Sequence, residues 1–233
     1  ADYSGSRRVR QYDIVMVSAK DGSVIRNLTN GFDQDRGFEF IAVPGGRWNS
    51  VPWMSWAPMG DRIAYFARDE KSRTLILQNI LTRGVEQRFP MQTVDDPESP
   101  DFSPDGTKVA FSALQGGIGD IYIVDLGSGE VTNLTKDAFA DHGPTWFPDG
   151  KSLLYVARDS GNEKLFRLDL ETGTKTQLTF GTHDDTTAQF LDADTIVFSS
   201  TATDPGQPIE PDVARNGNIY NIWTLSLKTG ELR

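Results

Sequence analysis

The feature that most constrains the fold is a Pro-Asp-Gly turn that recurs at a nearly constant spacing. Residues 103–106 (Ser-Pro-Asp-Gly) return 44 positions later as 147–150 (Phe-Pro-Asp-Gly), and a degenerate copy at 57–60 (Ala-Pro-Met-Gly) lies 46 positions before the first. Proline presets φ, aspartate favours the next turn conformation, and glycine takes a positive φ. The pattern therefore predicts a repeated hairpin turn.

Each turn lies inside a larger repeated unit. An aromatic residue precedes it, Trp56, Phe102 or Trp146, and a short run of β-forming residues follows it. Phe190 starts a fourth copy, in which the turn has decayed to Asp-Ala-Asp at 192–194. A second hairpin with its own glycine follows within each unit, most clearly at residues 120–135. Four strands in up-and-down order are thus predicted for every unit.

Four antiparallel strands in about 44 residues are the size of one propeller blade. We predict an all-β protein, a β-propeller of four-stranded antiparallel blades with about four to five blades visible. The expected division is a blade remnant at 1–30, blades at 53–90, 99–135 and 143–179, and a partial blade at 187–233. Neither end of the sequence falls on a blade boundary, so we expect a fragment of a six-bladed or larger propeller, associated with the rest of that propeller.

Two insertions interrupt the repeat, at 31–52 and at 201–218. In an up-and-down blade, the link to the next blade and the loop between the second and third strands emerge on the same side. Both insertions are therefore predicted on one face, and loops that depart from a repeat are frequent binding sites. This face is the candidate functional surface.

Both histidines of the chain fall on the same face, in 139–144 and 181–185, beside carboxylates. No ligand spacing of a known metal site is present, so we expect no metal and no cofactor. Trp56, at the repeat position, is expected to be a core residue, whereas Trp48 and Trp53 remain available for stacking. The candidate binding residues are Trp48, Trp53, Asp141, His142, His183, Asp184, Asp185, Glu210 and Asp212.

Composition excludes several classes of function. The net charge is −10, which disfavours nucleic acid as a partner. No apolar run is long enough for a membrane span. The sequence has no cysteine, no Gly-x-Ser-x-Gly elbow, no His-Glu-x-x-His motif and no phosphate-binding loop, so we expect no catalytic site in this chain.

The repeat resembles the WD-like repeats of TolB-like propellers, which also occur in tricorn and prolyl-oligopeptidase-type peptidases. The residues that carry this resemblance are 102–111 (Phe-Ser-Pro-Asp-Gly-Thr-Lys-Val-Ala-Phe), 120–126 (Asp-Ile-Tyr-Ile-Val-Asp-Leu) and 133–135 (Asn-Leu-Thr). Resemblance to TolB implies a bacterial periplasmic or otherwise extracytoplasmic propeller that binds protein partners. Resemblance to the peptidases implies a substrate-gating domain attached to a catalytic domain.

The sequence therefore predicts a non-catalytic scaffold that binds a protein or peptide through the face carrying the two insertions. The alternative is the accessory propeller of a peptidase whose catalytic domain is not in this chain. A carbohydrate-binding propeller is a third hypothesis, which rests only on Trp48 and Trp53.

Overall fold

The structure is a computed structural model, and it describes residues 14–28, 39–40, 53–68, 73–159, 161–202 and 220–233. Every regular element in these ranges is a β-strand. The strands are β1 (Val15–Val17), β2 (Val24–Asn27), β3 (Glu39–Phe40), β4 (Met54–Trp56), β5 (Arg62–Arg68), β6 (Arg73–Asn79), β7 (Val85–Met91), β8 (Asp95–Phe102), β9 (Lys108–Gln115), β10 (Ile118–Asp125), β11 (Val131–Asn133), β12 (Asp141–Trp146), β13 (Ser152–Asp159), β14 (Asn162–Asp169), β15 (Lys175–Gln177), β16 (Asp185–Phe190), β17 (Thr195–Ser200) and β18 (Asn221–Ser226).

The strands form five antiparallel sheets that follow one another along the chain. We call them the first blade (β1–β2), second blade (β3–β7), third blade (β8–β11), fourth blade (β12–β15) and fifth blade (β16–β18). The third and fourth blades have four strands each, hydrogen-bonded in chain order. The predicted fold class, a propeller of four-stranded antiparallel blades, is confirmed.

The second blade shows where the first insertion enters the sheet. β3 and β4 pair with successive parts of the same strand, Phe40 opposite Ala67 and Met54 opposite Tyr65. Together they occupy the inner-strand position along β5. Two residues of the segment predicted as a loop insertion therefore belong to the sheet.

The Pro-Asp-Gly turns have the predicted backbone. Gly60, Gly106 and Gly150 have φ of 69°, 70° and 69°. The Asp105 carboxylate accepts hydrogen bonds from the Ser103 hydroxyl at 2.6 Å and from the backbone N–H of Thr107 at 3.0 Å. These bonds, first that from Ser103, lower the pKa of Asp105 to about 2. The turn is thus held by the conformation of its glycine and by the side chain of its aspartate.

Replacement of Gly106 by alanine is expected to lower the free energy of unfolding by about 1 kcal/mol, because a Cβ is strained at positive φ. Space is not the obstacle, since the nearest atom to that Cβ would be Pro58 Cδ at 3.7 Å. The matched control is Gly127→Ala in the same blade, whose backbone lies outside the left-handed region. Urea unfolding of both variants checks this, and an equal loss in the two would contradict it.

The β-rich run after each turn is the second strand of its blade. Residues 63–67, 109–111 and 153–157 are buried on both faces of the sheet. Since a second strand has sheet neighbours on both sides and blades above and below, its side chains have no solvent-facing alternation. Adjacent blades pack aromatic rings across the interface, with Phe66 and Phe111 centroids 5.3 Å apart.

Side chains join the inner strands of neighbouring blades at equivalent repeat positions. The Ser55 hydroxyl lies 3.2 Å from Asp101 Oδ1, and the backbone N–H of Trp146 donates to Asp101 Oδ2 at 2.8 Å. In the next pair of blades, Gln189 Nε2 donates to the Thr145 hydroxyl at 3.2 Å. These bonds hold the second to fifth blades together along their inner edges.

One local expectation was wrong. Trp56 was expected in the core, but half of it (50%) is exposed, whereas Trp146 at the equivalent position is only 6% exposed. In the second hairpin of the second blade, the left-handed residue is Arg83 (φ 62°), one position before Gly84. Within the described ranges, no helix has the length and apolar character needed to cross a membrane.

Candidate functional site on the loop face

One face of the propeller carries the links between blades and the starts of the inner strands. We call it the loop face, and within the described chain it consists of the links 92–94, 134–140 and 178–184 with the adjoining ends of β8, β10, β12, β14 and β16. The opposite face, which carries the Pro-Asp-Gly turns, is the turn face. Trp48, Glu210 and Asp212, three of the predicted binding residues, lie outside the described residues.

The other predicted residues have the following positions. Asp141 and His142 are the first two residues of β12. His142 therefore lies within an inner strand, whereas the sequence predicted it just before one. His183 and Asp184 end the link before β16, and Asp185 is its first residue. Trp53 precedes β4 in the second blade and is 46% exposed.

His142 contacts a carboxylate that sequence reasoning missed. Its Nε2 lies 3.5 Å from Glu163 Oε1, and Arg158 donates to the same oxygen at 3.1 Å. The hydrogen bond with His142 is the main cause that lowers the pKa of Glu163 to about 2. Burial raises the pKa of Glu98 in the inner strand of the third blade, and the charge of His142 opposes that rise.

Asp184 is bound to the same strand end. Its Oδ1 accepts the backbone N–H of Glu163 at 2.9 Å and the side-chain amide of Asn162 at 3.2 Å. The start of β14 thereby connects His142 of the fourth blade to Asp184 of the next link. Glu163, which the repeat alone did not identify, therefore brings the predicted residues His142 and Asp184 into one polar group.

A buried ion pair lies beneath this group. Lys164 Nζ is 3.0 Å from Asp185 Oδ2, and it also donates to the carbonyl oxygen of His183. His183 Nε2 lies 3.4 Å from the same carboxylate oxygen. Burial alone would raise the pKa of Asp185, but the hydrogen bonds from His183, Ser200 and Lys164 outweigh it and hold that pKa below its ordinary value. His183 and Asp185 therefore both belong to this buried ion-pair cluster.

Asp141 is separate from these residues, in the interface between the third and fourth blades. It is 2% exposed, and its Oδ2 has no hydrogen-bond partner. Burial is the main cause that raises the pKa of Asp141 to about 6. A hydrogen bond with the Thr135 side chain opposes that rise, so one oxygen of this buried carboxylate is left unsatisfied.

The loop face also exposes apolar side chains beside the charged group. Phe139 and Phe180, on two successive links, are 51% and 66% exposed, and Ile118 and Tyr220 are exposed at the starts of β10 and β18. No three His, Cys, Asp or Glu side chains of the described residues are grouped so as to hold a metal ion. The surface offers aromatic rings, carboxylates and an imidazole, which suit a polar and partly apolar ligand.

The sequence profile described as TolB beta propeller domain matches residues 8–218. No curated protein matches the chain. Among solved structures, TolB from Acinetobacter baumannii has 24% identity and a TM-score of 0.62, over 78% of this chain and 42% of that one. A putative dipeptidyl aminopeptidase IV from Bacteroides ovatus has 11% identity and a TM-score of 0.62, over 96% and 40%.

The tricorn protease has 12% identity and a TM-score of 0.57, over 81% of this chain and 22% of that one. At these identities the likeness is one of fold. The chain spans less than half the length of each of these three structures. The resemblance of the repeat to TolB-like and peptidase propellers is confirmed.

Proposed function

Because the chain belongs to the TolB beta propeller domain family, we propose that it is a non-catalytic scaffold that binds a protein or peptide partner through its loop face. The observation that supports this most is the pair of exposed phenylalanines on successive links of that face. Aromatic side chains are enriched at the energetic centres of protein interfaces.

The charged residues of the face indicate the chemistry of the partner. The loop face carries Asp95, Asp96, Glu98, Asp137, Glu163 and Asp184, against Arg73, Lys136, Arg158 and His142. Arg73 is already paired with Asp95 at 2.9 Å and with Asp96 at 3.0 Å. With a net charge of −10 for the chain, the complementary partner segment is basic and carries apolar residues, and such complementarity speeds association.

The test compares two double variants with matched exposure. Phe139→Ala/Phe180→Ala removes the rings of the loop face, and Leu81→Ala/Leu191→Ala removes leucines that are 69% and 67% exposed on the turn face. A photo-crosslinker at position 139 first identifies the partner, and biolayer interferometry then measures its affinity. We expect the loop-face variant to bind about tenfold or more weakly and the turn-face variant to bind as the parent does. Equal affinities of the two variants would contradict the proposal.

The second candidate is the accessory, substrate-gating propeller of a peptidase. Its support is the match to the dipeptidyl aminopeptidase structure over 96% of this chain, against 78% for TolB. The reading frame of the natural gene decides between the two, because a hydrolase domain with a nucleophile elbow after the propeller would favour the peptidase.

The proposed compartment is the periplasm or another extracytoplasmic space. Cell fractionation with an antibody against the chain tests it, and recovery in the cytoplasmic fraction alone would contradict it.

A further inference from the structure

Equivalent positions at three blade interfaces carry different pairs of residues. The third strand of one blade and the inner strand of the next contribute one residue each. In strict repeat register these pairs are Thr74 with Pro97, Asp120 with Asp141, and Lys164 with Asp185. The second and third strands pair in the same register in the third and fourth blades. Ile121 lies opposite Ser112, and 44 positions later Leu165 lies opposite Val156.

The interface between the fourth and fifth blades contains an ammonium group at this position. Lys164 and Asp185 are both buried, and Lys164 Nζ donates to the Asp185 carboxylate and to the His183 carbonyl. The primary ammonium group of Lys164 thus neutralises the buried Asp185 carboxylate and donates to at least two oxygen atoms.

The interface between the third and fourth blades has a carboxylate in place of that lysine. Asp120 is 4% exposed, and its two oxygens accept from the Thr135 hydroxyl and the Asn133 amide. Asp141 Oδ2 has no hydrogen-bond partner, which is also true of Asp185 Oδ1 in the next interface. Lys175 donates instead to Asp137 and to the Thr135 carbonyl. Two buried carboxylates therefore lie at the position where the next interface holds a cation and a carboxylate.

The interface between the second and third blades has the uncharged Thr74 and Pro97 at the positions 46 and 44 residues earlier, with a register shift of β8 between Asp95 and Glu98. The buried Asp141 Oδ2, which has no hydrogen-bond partner, points to a ligand that donates to it.

The residues one position outward also differ between the interfaces, and at Gly119 a Cβ would lie 3.2 Å from the Asp141 carbonyl oxygen. One residue outward, Arg73 Nη2 bonds Asp96 at 3.0 Å in one neighbouring interface. In the other, the Glu163 N–H bonds Asp184 at 2.9 Å. The equivalent residues between the third and fourth blades are Gly119 and Ala140, which have no side chain able to form such a bond.

We propose that the interface between the third and fourth blades binds a primary ammonium group between Asp120 and Asp141, where Lys164 Nζ lies in the next interface. The Phe139 carbonyl, equivalent in register to that of His183, is its third acceptor. Lysine side chains of a peptide and free alkylamines share this chemistry. The site is independent of the identity of the loop-face partner.

The test is thermal unfolding of the protein at pH 8, above the pKa of Asp141, with methylammonium chloride or tetramethylammonium chloride at equal ionic strength. A ligand that binds only the folded state raises Tm with its concentration. We expect a saturable rise of about 2–4 °C with methylammonium and none with tetramethylammonium, which is larger and donates no hydrogen bond. Calcium chloride is expected to give no saturable rise. Equal responses to the two amines, or a response to calcium alone, would overturn the proposal.

Variants locate the site and identify the source of the amine. Asp141→Asn is expected to abolish the response, whereas Asp149→Asn, on the exposed Pro-Asp-Gly turn, retains it. Asp120→Lys recreates the neighbouring ion pair, so it is expected to raise Tm without amine and to remove the response. A larger shift with Nα-acetyl-lysine methylamide than with methylammonium would assign the site to a peptide lysine, and an equal or smaller one to free amines. A full response in Asp141→Asn would overturn the assignment.

Discussion

Replacing Lys164 with methionine will lower the free energy of unfolding by about 3–5 kcal/mol, because it leaves the Asp185 carboxylate buried without a counter-charge. Both side chains are almost fully buried, and their charged atoms are 3.0 Å apart. The His183 carbonyl loses a donor as well. Methionine keeps the length and apolar stem of lysine, so the loss reports the charge and not a cavity. Urea unfolding monitored by tryptophan fluorescence measures it.

Lys175→Met is the matched control. Lys175 pairs with Asp137 near the surface, where both side chains are about one-third exposed, and such pairs contribute about 0–1 kcal/mol. The double variant Lys164→Met/Asp185→Leu removes both buried charges and is expected to recover most of the stability, since replacing a buried ion pair by apolar residues of similar volume is often close to neutral. A loss in Lys164→Met no larger than in Lys175→Met would show that the buried pair is not coupled.

Asp101→Asn will change how stability depends on pH. Burial raises the pKa of Asp101 to about 6, although the Trp146 N–H and the Ser55 hydroxyl favour its charged form. Its pKa in the unfolded chain is about 3.9. The folded protein thus binds the Asp101 proton more tightly than the unfolded chain does. The stability contributed by protonated Asp101 is complete below pH about 4 and is lost as pH rises through about 6. A shift of this size corresponds to roughly 3 kcal/mol.

The quantity to measure is the difference in free energy of unfolding between the parent and Asp101→Asn, from urea titrations at pH 4, 5, 6 and 7. It is expected to fall by roughly 2–3 kcal/mol over that range. Asp141 titrates in the same window, but both proteins contain it, so its contribution cancels. Asp105→Asn provides the opposite case, because the pKa of Asp105 is lowered to about 2 and its stabilising contribution is lost only below pH about 4. A flat difference for Asp101→Asn would show that burial does not control this carboxyl.

The blade could be predicted because its signals are local. The turn depends on adjacent residues, and the 44-residue period repeats the same turn in the third and fourth blades. The second strands are continuous apolar runs since both of their faces are buried. Trp56 was mispredicted for a related reason. The repeat identifies its position in the blade, but the exposed fraction of its ring depends on the blade beside it.

The candidate site could be predicted only in outline. The sequence placed His142 and Asp184 on the loop face, but it missed Glu163 and Lys164, which lie near them. No motif marks these two residues. A comparison of equivalent repeat positions could have shown that Lys164 replaces Asp120 at a buried position.

The sequence by itself determined the repeating unit and its strand order. These follow from backbone conformation at glycine and proline and from the spacing of apolar residues, which are properties of neighbouring residues in the chain. Only the tertiary structure decided which charged groups meet. Lys164 and Asp185 are 21 positions apart and belong to different blades, so their contact depends on how one blade packs on the next. The same packing leaves one oxygen of the buried Asp141 carboxylate without a hydrogen-bond partner.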